Sequence, residues 1–187
     1  VCEIRFVGSH APGGALPFSK GHGMQNLGYS WADALPSTFH EIHIERNWPV
    51  HHGARQLLES WKARQVEGRF IVGRDVPSRE LARVLSGLAL FQPILNGDFQ
   101  VRLAGVALRR RFGRDVTGEK LSEIMSEAQF GEHSRRMCDL LESGKPFVVE
   151  TRLNENGRLR LCYEWLALRV FAVDGVTPWV MTGIFFS

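Results

Sequence analysis

Between Leu88 and Phe186 the apolar residues change period twice, and this double switch restricts the fold more than any other feature of the chain. Two apolar runs, 88–95 and 98–104, flank Asn96-Gly97, the dipeptide that most readily takes the positive φ angles of a two-residue hairpin turn. In the second run Phe99, Val101 and Leu103 alternate with Gln100 and Arg102, which predicts one buried and one wet face. Pro93 is poorly tolerated inside a central strand and should mark a strand's end. Residues 105–143 then take helical spacing, interrupted at Gly113 and Gly118, and Ser143-Gly144 supplies a stop. After Pro146 strand patterning returns over 147–153, 159–173 and 178–186, with turns at 154–157 and at Asp174-Gly175. The order predicts an α+β fold, ββ-ααα-βββ, with a five-stranded antiparallel sheet and its helices on one face.

Upstream of the sheet, Ala54, Leu57, Leu58 and Trp61 follow i, i+3, i+4, i+7 spacing with Arg55, Glu59, Lys62 and Arg64 between them. That pattern predicts an N-terminal amphipathic helix whose stripe must cover either the sheet's second face or another protomer. Pro77 is placed to open a second short helix bearing Leu81, Val84, Leu85 and Leu88, with Gly87 ending it. Residues 1–50 lack sustained periodicity and hold half of the eight prolines, so they read as a weakly structured extension, and 51–187 as one domain.

The balance of 23 basic and 20 acidic residues leaves a net charge of +3, too slight to require nucleic acid or a membrane unless one face concentrates it. No apolar run reaches membrane-spanning length, and residues 1–20 lack the apolar stretch of a secretory signal, which predicts a cytoplasmic protein. Cys2, Cys138 and Cys162 are odd in number and show no CxxC spacing, so buried reduced thiols are expected in place of disulfides or a thiolate metal site.

Two glycine-containing runs, Phe99-Gln-Val-Arg-Leu-Ala-Gly105 and Phe112-Gly-Arg-Asp-Val-Thr-Gly118, resemble the paired motifs of the stand-alone PAS-type sensory domain family of alphaproteobacteria. The likeness extends upstream through Trp61 and Val76-Pro77, and downstream through Cys162-Tyr-Glu164 and Met181-Thr-Gly-Ile-Phe-Phe186. It covers 51–187, and Val106 stands where family members have a small residue or Thr. The resemblance implies a bacterial sensory or protein-interaction module of signal transduction, without catalysis and with no ligand defined by the motif. Read physically, Gly105 and Gly113 permit turns between strand and helix, and Asp115 or Thr117 can cap the next helix.

Candidate sites follow. Leu103, Ile124, Met125, Phe130, Met137, Val149, Tyr163 and Trp165 are expected around any core cavity, which would take a small apolar ligand. Leu57, Leu58 and Trp61 are the expected partner-binding residues, and a homodimer through their helix is the associated expectation. His40-Glu-Ile-His43 with His51-His52 and Cys2 lacks HExxH spacing and reads as an exposed histidine-rich leader, not a metal site. His133 lies among Glu132, Ser134, Arg135 and Arg136 and reads as a surface histidine, not a haem ligand. No resident cofactor is expected. The cluster Arg109-Arg110-Arg111 with Arg114 supports an alternative function, a basic domain gripping phosphates of nucleic acid or a nucleotide, although Asp115, Glu119 and Glu123 follow closely. Phosphate loops, nucleophile elbows and paired catalytic carboxylates are missing from the sequence, so an enzyme is not expected.

Overall fold

The computed structural model describes residues 40–66, 68–155 and 158–186. The elements run β1 (His40–Arg46), α1 (His52–Val66), β2 (Leu88–Pro93), β3 (Phe99–Ala104), α2 (Val106–Phe112), α3 (Leu121–Ile124), α4 (Glu127–Ser143), β4 (Phe147–Glu155), β5 (Arg158–Phe171) and β6 (Pro178–Phe186). The six strands form one antiparallel sheet in the order β1-β4-β5-β6-β2-β3.

The sheet has six strands instead of the expected five. The added one, β1, pairs with β4 along its length, from His40 opposite Asn154 to Arg46 opposite Val148. Its residues alternate weakly in hydrophobicity, because an edge strand has one ladder and little apolar surface to bury. Residues 1–39, with Cys2, His10 and His22, lie outside the described residues, as does the end of the expected turn at 156–157.

Strand alternation sorts the core into two clusters, one on each face. Leu166, Leu168 and Val170 of β5, Met181 and Phe185 of β6 and Leu88 and Leu90 of β2 meet the stripe of α1. Tyr163, Ala167, Val180, Ile184, Ala89 and Phe91 point the opposite way, toward α2, α3 and α4. The expectation that α1's stripe serves a partner is corrected here. Leu57, Leu58 and Trp61 are only 0%, 3% and 8% exposed, packed on the chain's own sheet, and the Trp61 indole N–H donates to the Arg169 carbonyl at 2.8 Å. Burial of the stripe stabilises the domain and leaves it unavailable for a dimer seam.

The expected helix after Pro77 is also corrected. Residues 80–84 form successive turns and end in a single 3-10 turn at Leu85–Gly87, with Val84 and Gly87 donating to carbonyls three residues back. Tight turns place Leu81 and Val84 on the α1 cluster together, a packing that overrides local helical preference.

The first hairpin turns as its sequence demands. Asn96 (φ 63°, ψ 26°) and Gly97 (φ 72°) both occupy the left-handed region, and Asp98 N–H reaches the Leu95 carbonyl. β2 ends at Pro93. Asp98 then ties the hairpin to α3, accepting from Ser122 Oγ at 2.6 Å and from the Ser122 N–H at 3.3 Å. Asp115 makes a turn with Thr117, whose N–H it accepts at 2.9 Å, while Lys120 occupies the position before α3; neither expected residue caps that helix. Beyond β3 the segment 118–120 bonds to Val101 and shields the sheet edge.

Candidate functional site

α4 is positioned by both its ends. Ser126 and Gln129 form a reciprocal capping box at the start, and Gly144 (φ 68°) closes the helix with its N–H on the Leu140 carbonyl at 2.8 Å. Arg169 of β5 donates to the Leu141 carbonyl at 3.0 Å, and Arg136 pairs with Glu45 of β1 at 3.1 Å and with Glu132 at 3.0 Å. So held, α4 stands off the sheet and leaves a cavity of about 570 Å³ between itself, α2, α3 and strands β1, β4, β5 and β6. That is a size class that holds small molecules.

Of the eight residues expected around a cavity, Ile124, Met125, Met137, Tyr163 and Trp165 line it. Phe130 packs against the same core without lining the space, and Val149, 1% exposed and opposite Trp165 in register, does not line it either. Leu103 is a correction. A bulge shifts the β2–β3 register between Leu90 and Phe91, so Leu103 pairs with Leu90 and leaves the face of Phe99 and Val101. It is 45% exposed, because one inserted residue moves every later side chain to the other face.

The polar wall of the cavity was not anticipated. His133 is half-buried with its Nδ1 shielded from solvent, its ring lies 4.6 Å from that of Trp165 in an edge-on contact, and it lines the space, which overturns its reading as a surface histidine. Burial drives its pKa down to about 4; Glu132 opposes the shift, and His43, Arg136 and Arg111 add to it. Among the described residues its Nδ1 has no hydrogen-bond partner, and neither does Oγ1 of Thr182, a residue of β6 that is 0% exposed and also lines the cavity. Thr151 is buried as well, and its hydroxyl meets His43 Nδ1 at 3.2 Å. Helical spacing contained the signal for His133: it stands three residues after Phe130 and four before Met137, on the inward stripe.

Toward the rim the lining residues are exposed and charged, but each charge has a partner within the chain. Arg114 forks onto Glu119, with Nη2 to Oε2 at 2.8 Å, and Lys120 sits 3.4 Å from Glu123. Donating to the Glu119 carboxylate raises the Arg114 pKa, and the hydrogen bond Glu123 accepts from the Lys120 N–H lowers that of Glu123. Arg109 donates to the Ala104 carbonyl and lies 3.7 Å from Asp115, while Arg111 joins the cavity lining. Two of the cluster's four arginines, Arg109 and Arg114, are thus paired with acidic residues of their own chain, which reduces the charge the cluster presents to a phosphate.

Outside the cavity, His51 Nδ1 accepts the Gly53 N–H at 3.0 Å and caps α1, its ring stacked on Phe185 at 5.1 Å. The expected histidine leader thus contributes a strand residue, His43, and a cap, His51. Among the described residues no group of three or more His, Cys, Asp or Glu gathers as a metal site. Cys138 is a buried thiol and Cys162 a half-buried one. No helix among the described residues is long and apolar enough to cross a membrane. The family model for the PAS domain matches residues 50–185. Comparison with curated proteins gives no match.

Proposed function

The chain belongs to the PAS domain family, and on that premise we propose that it is a non-catalytic sensing module, in which a small molecule occupies the cavity and its presence is passed to a protein partner. The observation that carries this reading is the 570 Å³ space itself, which runs from a charged rim to a buried end formed by Met137, Thr182 and Leu121. A cavity of that size beside well-packed clusters on both faces of the sheet is a departure from interior packing that a ligand would fill. The rim carboxylates of Glu119, Glu123 and Glu132 are each engaged with a basic group, so none is poised as a general acid or base. Because α1's stripe is buried, the partner contact belongs to another surface.

Native mass spectrometry and the absorbance spectrum of the full chain, purified without denaturation, test the reading. A bound small molecule, released on unfolding and lost when Ile124→Trp fills the cavity, supports it. A preparation without bound molecules, whose melting midpoint is unmoved by any fraction of a small-molecule cell extract, overturns it.

A further inference from the structure

The inner end of the cavity combines two kinds of wall. One is apolar: Phe91, Leu121, Met137 and Ile184. The other offers two buried polar atoms without a partner among the described residues, Nδ1 of His133 on α4 and Oγ1 of Thr182 on β6. The two side chains approach the same part of the sheet. His133 touches Trp165, Trp165 is opposite Ile184, and Thr182 is two residues from Ile184 on the same face. A buried hydroxyl without a partner is costly, and an apolar isostere at the same place would avoid the cost. Thr182 would then be a poor choice for a position serving packing alone.

We propose that the cavity's ligand is an uncharged molecule with an apolar body and one polar group that both donates and accepts hydrogen bonds, such as a carboxamide, held between Thr182 Oγ1 and His133 Nδ1. This rests on the sensing reading above and deepens it. The absence of net charge follows from the surroundings. Arg114, Glu123 and Glu132 at the rim are already paired, so a charged ligand would be desolvated against no uncommitted counterion among these groups. His133, held neutral by burial, supplies a hydrogen-bonding nitrogen without charge. The bound molecule sets its polar group against these two side chains and its apolar body against Phe91, Leu121, Met137 and Ile184. β1, which precedes the family-matched residues, contributes His43 to the wall.

The test uses four probes of one shape: 1-naphthamide, 1-naphthoate, 1-naphthylmethylammonium and 1-methylnaphthalene, titrated into the full chain and followed by proton–nitrogen correlation NMR. Naphthamide should bind at least tenfold more tightly than the other three. Thr182→Val and His133→Phe should each weaken naphthamide at least fivefold and leave methylnaphthalene unweakened, while Thr182→Ser keeps naphthamide binding. The melting midpoint of ligand-free Thr182→Val should equal or exceed that of the wild type, which separates a binding hydroxyl from a structural one. Methylnaphthalene or naphthoate binding as tightly as naphthamide overturns the proposed class while leaving a ligand cavity in place. Undiminished naphthamide binding by Thr182→Val also overturns it. If none of the four binds, the proposed class is overturned, while the sensing reading is decided separately by the bound molecule and the extract titration described above.

Discussion

Neutral His133 is charged at a cost, because its ring sits between α4 and Trp165 with its pKa near 4, against an ordinary 6.5. An unfolded chain takes up the proton as pH falls through 6.5, whereas the folded chain resists until about 4, so the unfolded state binds more protons in between. Stability is thus unaffected above the ordinary value and declines across that window, by up to roughly 3 kcal/mol at its lower end. Glu132 on the same helix favours the charged form, and Arg136, Arg111 and His43 of β1 oppose it. In urea titrations at pH 7 and pH 4.5, His133→Phe should lose less stability on acidification than the wild type, and equal losses would contradict the assignment. A second buried group acts at the opposite face. Glu164, 0% exposed, accepts the Val50 N–H at 2.7 Å and the His51 N–H at 3.3 Å, fixing the start of α1 on β5. Glu150 stands opposite it in register and is itself held by Arg46 and Arg152, at 3.1 Å and 2.7 Å. Desolvation pushes the Glu150 pKa upward, but those hydrogen bonds outweigh it and the net shift is down. Glu164→Ala strands two backbone donors and should cost about 1–3 kcal/mol by urea unfolding, less any relief of repulsion from Glu150. His133 and Glu164 show how unevenly the sequence speaks at this scale. His133 lies on the stripe shared with Phe130 and Met137, yet its charged neighbours masked it, and Glu164 receives its partners from a segment more than a hundred residues away.

Among the elements, the hairpin between β2 and β3 rests on the positive φ of Asn96 and Gly97. A Cβ at Gly97 would meet Ser134 Oγ only at 3.6 Å, so the cost of Gly97→Val is backbone strain and not collision. The melting midpoint should fall by an amount equivalent to about 1–3 kcal/mol, and an unchanged midpoint would refute the strain. Gly105, between β3 and α2, differs: its φ is ordinary, but a Cβ would press on the Leu88 carbonyl and lie 2.8 Å from that of Ser86. The two glycines were visible in the motif runs, although only the packed structure separates a strained turn from a close approach. For α1 the amphipathic pattern foretold the helix but not what it covers. Since Leu58 is buried on the chain's own sheet, Leu58→Glu places a carboxylate in an apolar cluster and should cost upward of about 3 kcal/mol. Circular dichroism melting should show an unfolded or severely destabilised protein; a folded, cooperative Leu58→Glu variant would mean the helix is not seated as described.

Across the whole molecule, β1 joins the N-terminal side of the chain to both layers: it pairs with β4, sends Arg46 to Glu150, meets Arg136 of α4 through Glu45 and supplies His43 to the cavity. A chain beginning at His51 loses all four, and also the Val50 N–H on Glu164. It should melt at a lower temperature than a chain beginning at His40, and equal midpoints in calorimetry would show that β1 adds nothing to stability. By itself the sequence determined the antiparallel hairpins, the central run of helices and half of the apolar cavity wall, namely Ile124, Met125, Met137, Tyr163 and Trp165. Those features are written in local periodicity and in turn residues whose backbone preferences act over a few positions. Only the tertiary structure decided that β1 joins the sheet, that a bulge turns Leu103 outward, that α1 spends its apolar stripe on the sheet beneath it, and that His133 and Thr182 meet one cavity with unpaired polar atoms. Each of these depends on pairing or burial between residues far apart in the chain, for which neighbouring residues carry no periodic signal.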